Sequence, residues 1–298
     1  MNDNDYLKKV LEGQDLADDS AELRTLRSRR DEVETVLRER FKDSNPSIKY
    51  GGSKAKGTLI REAYDLDLAC YFEHEDTKPG QSLEDIFNNT KAALEAKYRV
   101  EPKTSALRIR GKDWVDFHVD VVPGRFTGAE RKDCFLHQTT GDKARLKTNL
   151  KVHIDYVRDS GLLDPIRLLK LWKARKALTV KQFAYELEII ALLSKKKGVP
   201  LTDQLIHVWT QLRDRSEPVP IEDPANPVGN DLMPLLRTSW AELSSVARST
   251  LTVLEASGWE GVFGPLNGGS GGDKAARLTS AATGVANPTK PWLSRGDV

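Results

Sequence analysis

The chain has 298 residues, enough to bury a full hydrophobic core as one large domain or as two lobes. Charged residues make up 30% of it and the net charge is +2, so no strong global field would attract nucleic acid. The two cysteines, Cys70 and Cys134, exclude a disulfide framework, and no cysteine or histidine spacing indicates zinc.

The amino-terminal residues lack the basic and apolar segments of a signal sequence. No apolar run further along approaches the roughly 18 to 20 residues of a membrane span. We therefore expect a cytoplasmic protein with no membrane contacts.

The first half of the chain predicts a mixture of helices and strands. Residues 20–42 form an amphipathic pattern with Ser20 as a cap. The arginines on its outer face alternate with acids, which is more typical of a solvated helix than of a nucleic-acid site. Next come a strand at 48–50, a helix from Lys54, a helix at 82–98, and strands at 107–110 and 114–122. This order predicts an α+β lobe.

From about residue 142 the pattern is almost entirely helical. Helices are predicted at 144–158, 165–178, 181–195, 202–213 and 232–257, with a proline-rich loop at 216–230. Glycine-rich residues 267–272 predict a flexible linker. We therefore divide the chain into a catalytic lobe with an amino-terminal helix (1–141), a helical lobe (142–263), and a flexible linker and tail (264–298).

One segment of the first lobe carries chemistry. Gly52 and Ser53 suit a turn that lets the backbone approach a polyphosphate and donate hydrogen bonds to it. Asp65 and Asp67 project from one face of a strand, because side chains alternate along it. Asp120 projects likewise from the strand at 114–122, so the three carboxylates converge if the strands are neighbours. A Gly-Gly-Ser or Asp-x-Asp alone is typical of ordinary surfaces; their combination indicates a metal and nucleotide site.

Clustered carboxylates are costly unless a cation neutralises them, and they suit Mg2+. Asp116 competes with Asp120 for the third place, but it lies about 7 Å further along the strand, so we interpret it as solvated or as a supporting group. His118, on the same face, is more often structural than a general base at such a position.

At this point the sequence resembles a known family. Gly52-Ser53, Asp65-x-Asp67, and Asp120 ahead of Val-Val-Pro are similar to the signature of the polymerase-beta-type nucleotidyltransferases. More narrowly, they resemble the branch of oligoadenylate synthase, cyclic GMP-AMP synthase and the bacterial cyclic-oligonucleotide synthases of antiphage defence. The Lys-x-Trp helix at 166–172, the helix at 182–187 and the Asp-Pro-x-x-Pro-x-x-Asn segment within 222–230 support this narrower resemblance.

The resemblance implies a two-lobed α+β fold, with a mixed-sheet catalytic lobe, a mostly helical lobe and the active site in the cleft between them. Lys170, which alone would be an unremarkable surface lysine, falls at the family's triphosphate-contacting position. Phe183 falls where the family stacks an aromatic ring on the donor base, and Gln182 where a polar residue contacts phosphate or sugar. The family usually has tyrosine and often serine at these two positions; the phenylalanine keeps the stacking ring but loses the phenol's hydrogen bond.

The implied enzyme is a nucleotidyltransferase that uses two Mg2+ ions, or Mn2+ instead, and releases pyrophosphate. Asp65 and Asp67 would bind both metals, and Asp120 would bind the metal nearest the acceptor hydroxyl. Its product would be a small cyclic or linear oligonucleotide, a second messenger in antiphage defence. The expected partners are nucleoside triphosphates, with no obligatory nucleic acid, and a regulatory protein or phage-derived activator. Two alternatives stay open: a terminal transferase acting on an RNA acceptor, and a catalytically silent nucleotide-binding sensor.

Overall fold

The computed structural model describes residues 1–64, 66–114 and 117–266. The helices are α1 Asp3–Glu12, α2 Ala21–Arg40, α3 Gly52–Lys56, α4 Leu83–Glu95, α5 Leu150–Arg158, α6 Leu163–Arg175, α7 Gln182–Leu193, α8 Leu201–Asp214 and α9 Met233–Phe263. The strands are β1 Ser47–Tyr50, β2 Leu66–Phe72, β3 Arg99–Pro102, β4 Leu107–Arg110, β5 Val119–Phe126, β6 Cys134–His137 and β7 Arg145–Thr148.

In the described part of the chain the strands form one mixed sheet. Five strands follow the order β1-β2-β5-β4-β3, while β6 pairs with β5 and with β7. The central pair, β2 and β5, is parallel, and the other pairs are antiparallel. The expected α+β class with a mixed sheet is therefore confirmed.

Alternation along β2 gives the sheet two different faces. Leu66, Leu68, Cys70 and Phe72 point into a core that α2 and α4 cover. The intervening residues lie on the opposite face, where Asp67, Ala69 and Tyr71 border a cleft. A carboxylate on this strand is thus placed beside the cleft by the same pattern that builds the core.

The carboxyl-terminal half packs around a second, larger core. Trp172, Tyr185 and Trp209 are fully buried there, and α7 is buried along most of its length because its sequence is apolar almost all round. The first helix, α1, also belongs to this core, and the Tyr6 hydroxyl donates a hydrogen bond to the carbonyl of Gly264. The two ends of the described chain are therefore held together.

Most predicted elements lie within a few residues of the observed ones. Ser20 caps α2 as expected, and Ser82 caps α4 in a reciprocal capping box with Asp85. The helix predicted at 232–257 continues to Phe263 across a kink at Gly258, whose φ is 62°. The segment predicted as a loop at 216–230 contains no helix or strand.

Two sequence predictions need correction, and some elements were not predicted at all. Residues 145–148 form strand β7 instead of the start of a helix, and α5 begins only at Leu150, capped by Asn149. The strand predicted at 114–122 begins at Val119 and continues to Phe126. Helix α1 and strands β3 and β6 were not predicted. The division at residues 141 and 142 stays a prediction, and most of the predicted linker and tail, from 267 onward, lies outside the described residues.

None of the described helices is long and apolar enough to cross a membrane.

Candidate active site

A cleft of about 520 Å3 lies between the sheet and the helices of the second core. Of the residues predicted for the site, six line it: Gly52, Ser53, Asp67, Lys170, Gln182 and Phe183. They come from α3, β2, α6 and α7, which are far apart in the sequence. The structure therefore brings together most of the predicted site.

The Gly-Ser turn lies directly against Asp67. The backbone N–H of Gly51 donates to the backbone carbonyl of Asp67 at 2.8 Å. Gly52 has a φ of +55°, and a β-carbon added there would stand 1.6 Å from Asp67 Oδ2. A side chain at residue 52 is excluded both by this φ and by the carboxylate, so glycine is required.

Ser53 is buried, with 5% of its surface exposed. Ser53 lines the cleft, and its buried hydroxyl has no hydrogen-bond partner within the described ranges. A buried hydroxyl is usually hydrogen-bonded, so one left over at a cleft wall suits a bound ligand oxygen. The turn thus offers a hydroxyl and a closely approaching backbone beside a carboxylate.

Asp67 and Asp120 are direct neighbours in the parallel pairing of β2 and β5. Paired residues in a parallel sheet project to the same face, so these two acids share the cleft side of the sheet. Asp120 does not line the cleft, however. Arg108, its register partner on β4, holds it in a bidentate ion pair at 2.8 and 2.7 Å. The imidazole Nε2 of His118, which does line the cleft, lies 4.0 Å from Asp120 Oδ2.

Asp65, the first acid of the predicted set, lies outside the described residues, as does Asp116. Among the residues that are described, no group of three histidine, cysteine or acidic side chains could hold a metal ion. The convergence of all three predicted acids stays a prediction.

The described acids nevertheless fit a hard cation. Asp67 borders the cleft beside the Gly-Ser turn, and carboxylate oxygens are the ligands that Mg2+ prefers. The bidentate contact with Arg108 occupies one lone pair on each oxygen of Asp120, and a carboxylate has about four such acceptor positions. Asp120 therefore keeps the capacity for a second contact.

The sequence did not predict a buried ion pair beside the cleft, in which Lys56 is the partner that lines the cleft. Lys56 Nζ lies 2.7 Å from Glu186 Oε2, and the Glu186 side chain is fully buried. The Thr58 hydroxyl and the Gln182 amide both donate to Glu186 Oε1, at 3.0 and 3.4 Å. Because a buried carboxylate is costly without partners, this network fixes the positions of Lys56 and Gln182.

Lys170 is buried rather than on the surface. Only 5% of it is exposed, and its ammonium donates to the Thr58 carbonyl at 3.4 Å. Lys173, on the next turn of α6, also lines the cleft. Among the described residues, Lys56, Lys170 and Lys173 border the cavity. Glu186 balances the charge of Lys56, and the other two lysines favour an anionic ligand.

Phe183 provides the aromatic part of the wall. Lys56 Nζ lies 4.7 Å from the ring centroid, a cation–π distance, and the His153 ring centroid lies 4.5 Å away. His153 in turn contacts Asp223, in the loop between α8 and α9, with Nε2 2.6 Å from Oδ1.

Asp223 is the first residue of the Asp-Pro-x-x-Pro-x-x-Asn segment. Its other oxygen accepts a hydrogen bond from the last residue, Asn230, at 2.6 Å. Burial acts to raise the pKa of Asp223, but hydrogen bonds from His153 and Asn230 outweigh it and lower the pKa. The sequence motif therefore closes on itself around an ionised carboxylate.

The chain is similar to known proteins in sequence and in fold. No protein-family model matches the chain. The curated cyclic AMP-AMP-AMP synthase of Escherichia coli strain MS 115-1 is 26% identical over 220 residues. The match covers 60% of this chain and 66% of that protein, so it spans just under two thirds of the relative's length.

Solved structures share the fold over more of the chain. CdnC of E. coli MS115-1, solved in complex with HORMA-deltaN, matches with a TM-score of 0.64 and 20% identity, covering 89% of this chain and 98% of that one. CdnG of Bradyrhizobium diazoefficiens, solved with GTP, matches with a TM-score of 0.61 and 14% identity, covering 87% and 94%. The DncV cyclic AMP-GMP synthase of Vibrio cholerae matches with a TM-score of 0.59 and 16% identity, covering 79% and 75%. The predicted resemblance to bacterial cyclic-oligonucleotide synthases is therefore confirmed, and the chain has the two-lobed fold of those enzymes.

Proposed function

We propose that this chain is a nucleotidyltransferase that joins nucleoside triphosphates into a small oligonucleotide, cyclic or linear, and releases pyrophosphate. The observation that carries the proposal is the contact between the Gly52-Ser53 turn and Asp67 in a cleft that Lys56, Lys170 and Lys173 also line. Phosphate binding and metal-assisted phosphoryl transfer need these groups side by side. The likeness to cyclic-oligonucleotide synthases supports the same reaction class.

Each group in the cleft has a proposed role. The backbone of Gly52 and the hydroxyl of Ser53 hold the outer phosphates of the donor nucleotide, because Gly52 contacts Asp67 and the Ser53 hydroxyl has no hydrogen-bond partner within the described ranges. Lys170, fixed by the Thr58 carbonyl, steadies the triphosphate charge. Phe183 stacks on the base, and Gln182, held by Glu186, lies beside the sugar or phosphate.

Asp67, with Asp65 and Asp120, would hold Mg2+ or Mn2+ in this proposal. The metal would supply Lewis-acid activation of the attacking hydroxyl and charge neutralisation at the phosphate. Asp67 contributes the carboxylate nearest the Gly-Ser turn. The bidentate contact with Arg108 holds the Asp120 carboxylate in a fixed orientation on the adjacent strand.

The wider role in the proposal comes from the relatives. Two of them are synthases of cyclic oligonucleotides, so we infer a product of that kind. The resemblance of the sequence to the synthases of antiphage defence implies that this product is a second messenger in that role. One similar chain was solved with a HORMA protein, and others with ATP or GTP. A protein partner and nucleoside triphosphate substrates therefore belong to the proposal.

The test is to incubate the protein with all four labelled triphosphates and Mg2+, treat the mixture with phosphatase, and determine the mass of what resists digestion. Asp67→Asn should lower synthesis by about 100-fold or more, because a ligand matters at least as much as the groups that orient it. Asp142→Asn, at an exposed loop position, is the matched control. Synthesis near the wild-type rate in Asp67→Asn would contradict the metal assignment.

The same experiment separates the alternatives. Product formed from mononucleotides alone excludes an obligatory RNA acceptor. Absence of pyrophosphate release with every divalent metal and candidate partner tried would favour a silent nucleotide-binding sensor.

A further inference from the structure

A second ring lies at the end of the cleft beside Phe183, where the nucleotide base is proposed to stack. The proposed mechanism gives this ring no role. His153, on α5, lines the cleft beside Phe183, with the two ring centroids 4.5 Å apart and the planes inclined at 45°. Its side chain is 19% exposed, so it is accessible from the cleft but held on most sides. A base stacked on Phe183 would therefore lie within reach of His153.

A contact with Asp223 fixes the orientation of the His153 ring. Its Nε2 lies 2.6 Å from Oδ1 of Asp223, which is fully buried. The same carboxylate accepts hydrogen bonds from the backbone N–H of Ala225 at 2.8 Å and from the Asn230 amide at 2.6 Å. The Asp-Pro-x-x-Pro-x-x-Asn segment thus holds one imidazole nitrogen in a fixed position.

The contact with Asp223 also determines which imidazole nitrogen carries the proton. An ionised carboxylate only accepts hydrogen bonds, so Nε2 of His153 must donate. In the neutral ring the proton is then on Nε2, and Nδ1, the remaining nitrogen, is an acceptor. Adenine carries an amino donor at its 6-position, whereas guanine and hypoxanthine carry an oxygen acceptor there.

On the basis of the proposed function, we propose that His153 contacts the base of the bound nucleotide, with Nδ1 accepting a hydrogen bond from the 6-amino group of adenine. Asp223 and Asn230 are positioning residues that act through His153. With the His153 ring neutral, the site then selects 6-amino over 6-oxo purines, because a 6-oxo group would face the Nδ1 lone pair without a proton between them.

The test measures binding rather than synthesis. Non-hydrolysable analogues of three triphosphates are titrated calorimetrically in the presence of Mg2+: ATP, inosine triphosphate with a 6-oxo group, and purine riboside triphosphate with only hydrogen at that position. The wild type should bind the ATP analogue about 5- to 10-fold more tightly than the unsubstituted one, the size of one neutral hydrogen bond.

His153→Leu is the informative variant. Leucine keeps an apolar side chain beside Phe183 but has no hydrogen-bond acceptor, while Asp223 keeps its hydrogen bonds from Ala225 and Asn230. Its preference for the 6-amino group should fall below about twofold, while its affinity for the unsubstituted analogue stays within about twofold of the wild type. His207→Leu, on α8 outside the cleft, is the matched control and should keep the full preference.

A separate measurement checks the contact between His153 and Asp223. Nitrogen NMR of the free protein should show His153 protonated on Nε2 in its neutral form, and Asp223→Asn should disturb that state. A wild type without the 6-amino preference, a preference unchanged in His153→Leu, or a proton on Nδ1 of the neutral ring would overturn the inference. If none of the analogues binds, the proposed function itself is overturned and the inference with it. Binding of all three without discrimination overturns the inference alone.

Discussion

Gly52 and Asp67 are packed so closely that a β-carbon at residue 52 would lie 1.6 Å from the Asp67 carboxylate. The turn that is proposed to hold phosphate therefore touches the acid that is proposed to hold metal. Because of this contact, Gly52, Ser53 and Asp67 form a single site, as their succession in the sequence predicts.

Replacing Gly52 with alanine should lower nucleotide synthesis by about 100-fold or more, because Asp67 must move away from the turn to make room. The change also carries a backbone cost of about 1 to 2 kcal/mol, since φ is +55° at this position. Gly141→Ala separates the two effects. Gly141 has a φ of +96° with nothing within 4 Å of its would-be β-carbon.

Radiolabelled product formation and chemical denaturation should be measured on both variants. We expect Gly141→Ala to lose stability but keep its activity within about twofold of the wild type. Equal activity in the two variants would show that the contact with Asp67 has no role.

The buried pair of Lys56 and Glu186 gives a second prediction. Lys56→Met leaves the Glu186 carboxylate buried without its cation, which should lower the free energy of unfolding by about 3 to 5 kcal/mol. Adding Glu186→Gln should recover most of that loss, because no buried charge then remains unpaired. Urea denaturation of the two single variants and the double variant completes the cycle.

Activity distinguishes a structural lysine from a ligand-binding one. If Lys56 also contacts phosphate in the cleft, the stable double variant should still show a raised KM for nucleotide. Full activity in the double variant would restrict Lys56 to a structural role.

Arg108 offers a test for the metal. Asp67 and Asp120 are adjacent carboxylates, and the guanidinium of Arg108 contacts Asp120. Removal of that guanidinium leaves less positive charge beside the two acids. Arg108→Gln should therefore be less stable than the wild type, and Mg2+ should raise its melting temperature by more than it raises that of the wild type. Arg110→Gln, at an exposed position on the same strand, is the control.

Differential scanning fluorimetry with Mg2+, Mn2+ and a chelator would supply these values. An identical response to Mg2+ in the wild type and Arg108→Gln would indicate that Asp120 does not share a cation with Asp67.

Local motifs predicted more of this protein than long-range contacts did. Gly52, Ser53 and Asp67 lie within 16 residues, and alternation along a strand was enough to place Asp67 on the cleft side. Lys56 and Glu186 are 130 residues apart, and no periodicity connects them. The contact of His153 with Asp223 spans 70 residues, so the Asp-Pro motif alone could not reveal its partner.

The missed elements have equally specific reasons. Residues 145–148 extend a helical pattern, yet pairing with β6 makes them a strand, because cross-strand contacts override weak local propensity. Helix α1 did carry a signal: Asn2 caps it, and Asp3 and Asp5 occupy its first turn.

The last prediction concerns pH and Glu188, a fully buried residue of α7. Its Oε1 accepts a hydrogen bond from the Val219 N–H at 3.0 Å, while Oε2 has no partner within the described part of the chain. Burial raises the pKa of Glu188 from 4.5 to about 7. Between these two pH values the folded protein binds more protons than the unfolded chain, so this group's contribution to stability falls as pH rises.

The loss begins near pH 4.5, is complete somewhat above pH 7, and amounts to about 3 kcal/mol at most. Glu188→Gln keeps an acceptor for Val219 but cannot ionise. It should therefore be more stable than the wild type at pH 8 and lose that advantage by pH 5. Denaturation at several pH values should show this difference, and Glu255→Gln, an exposed position on α9, should show none. A pH-independent difference between Glu188→Gln and the wild type would mean that Glu188 is already ionised at pH 5.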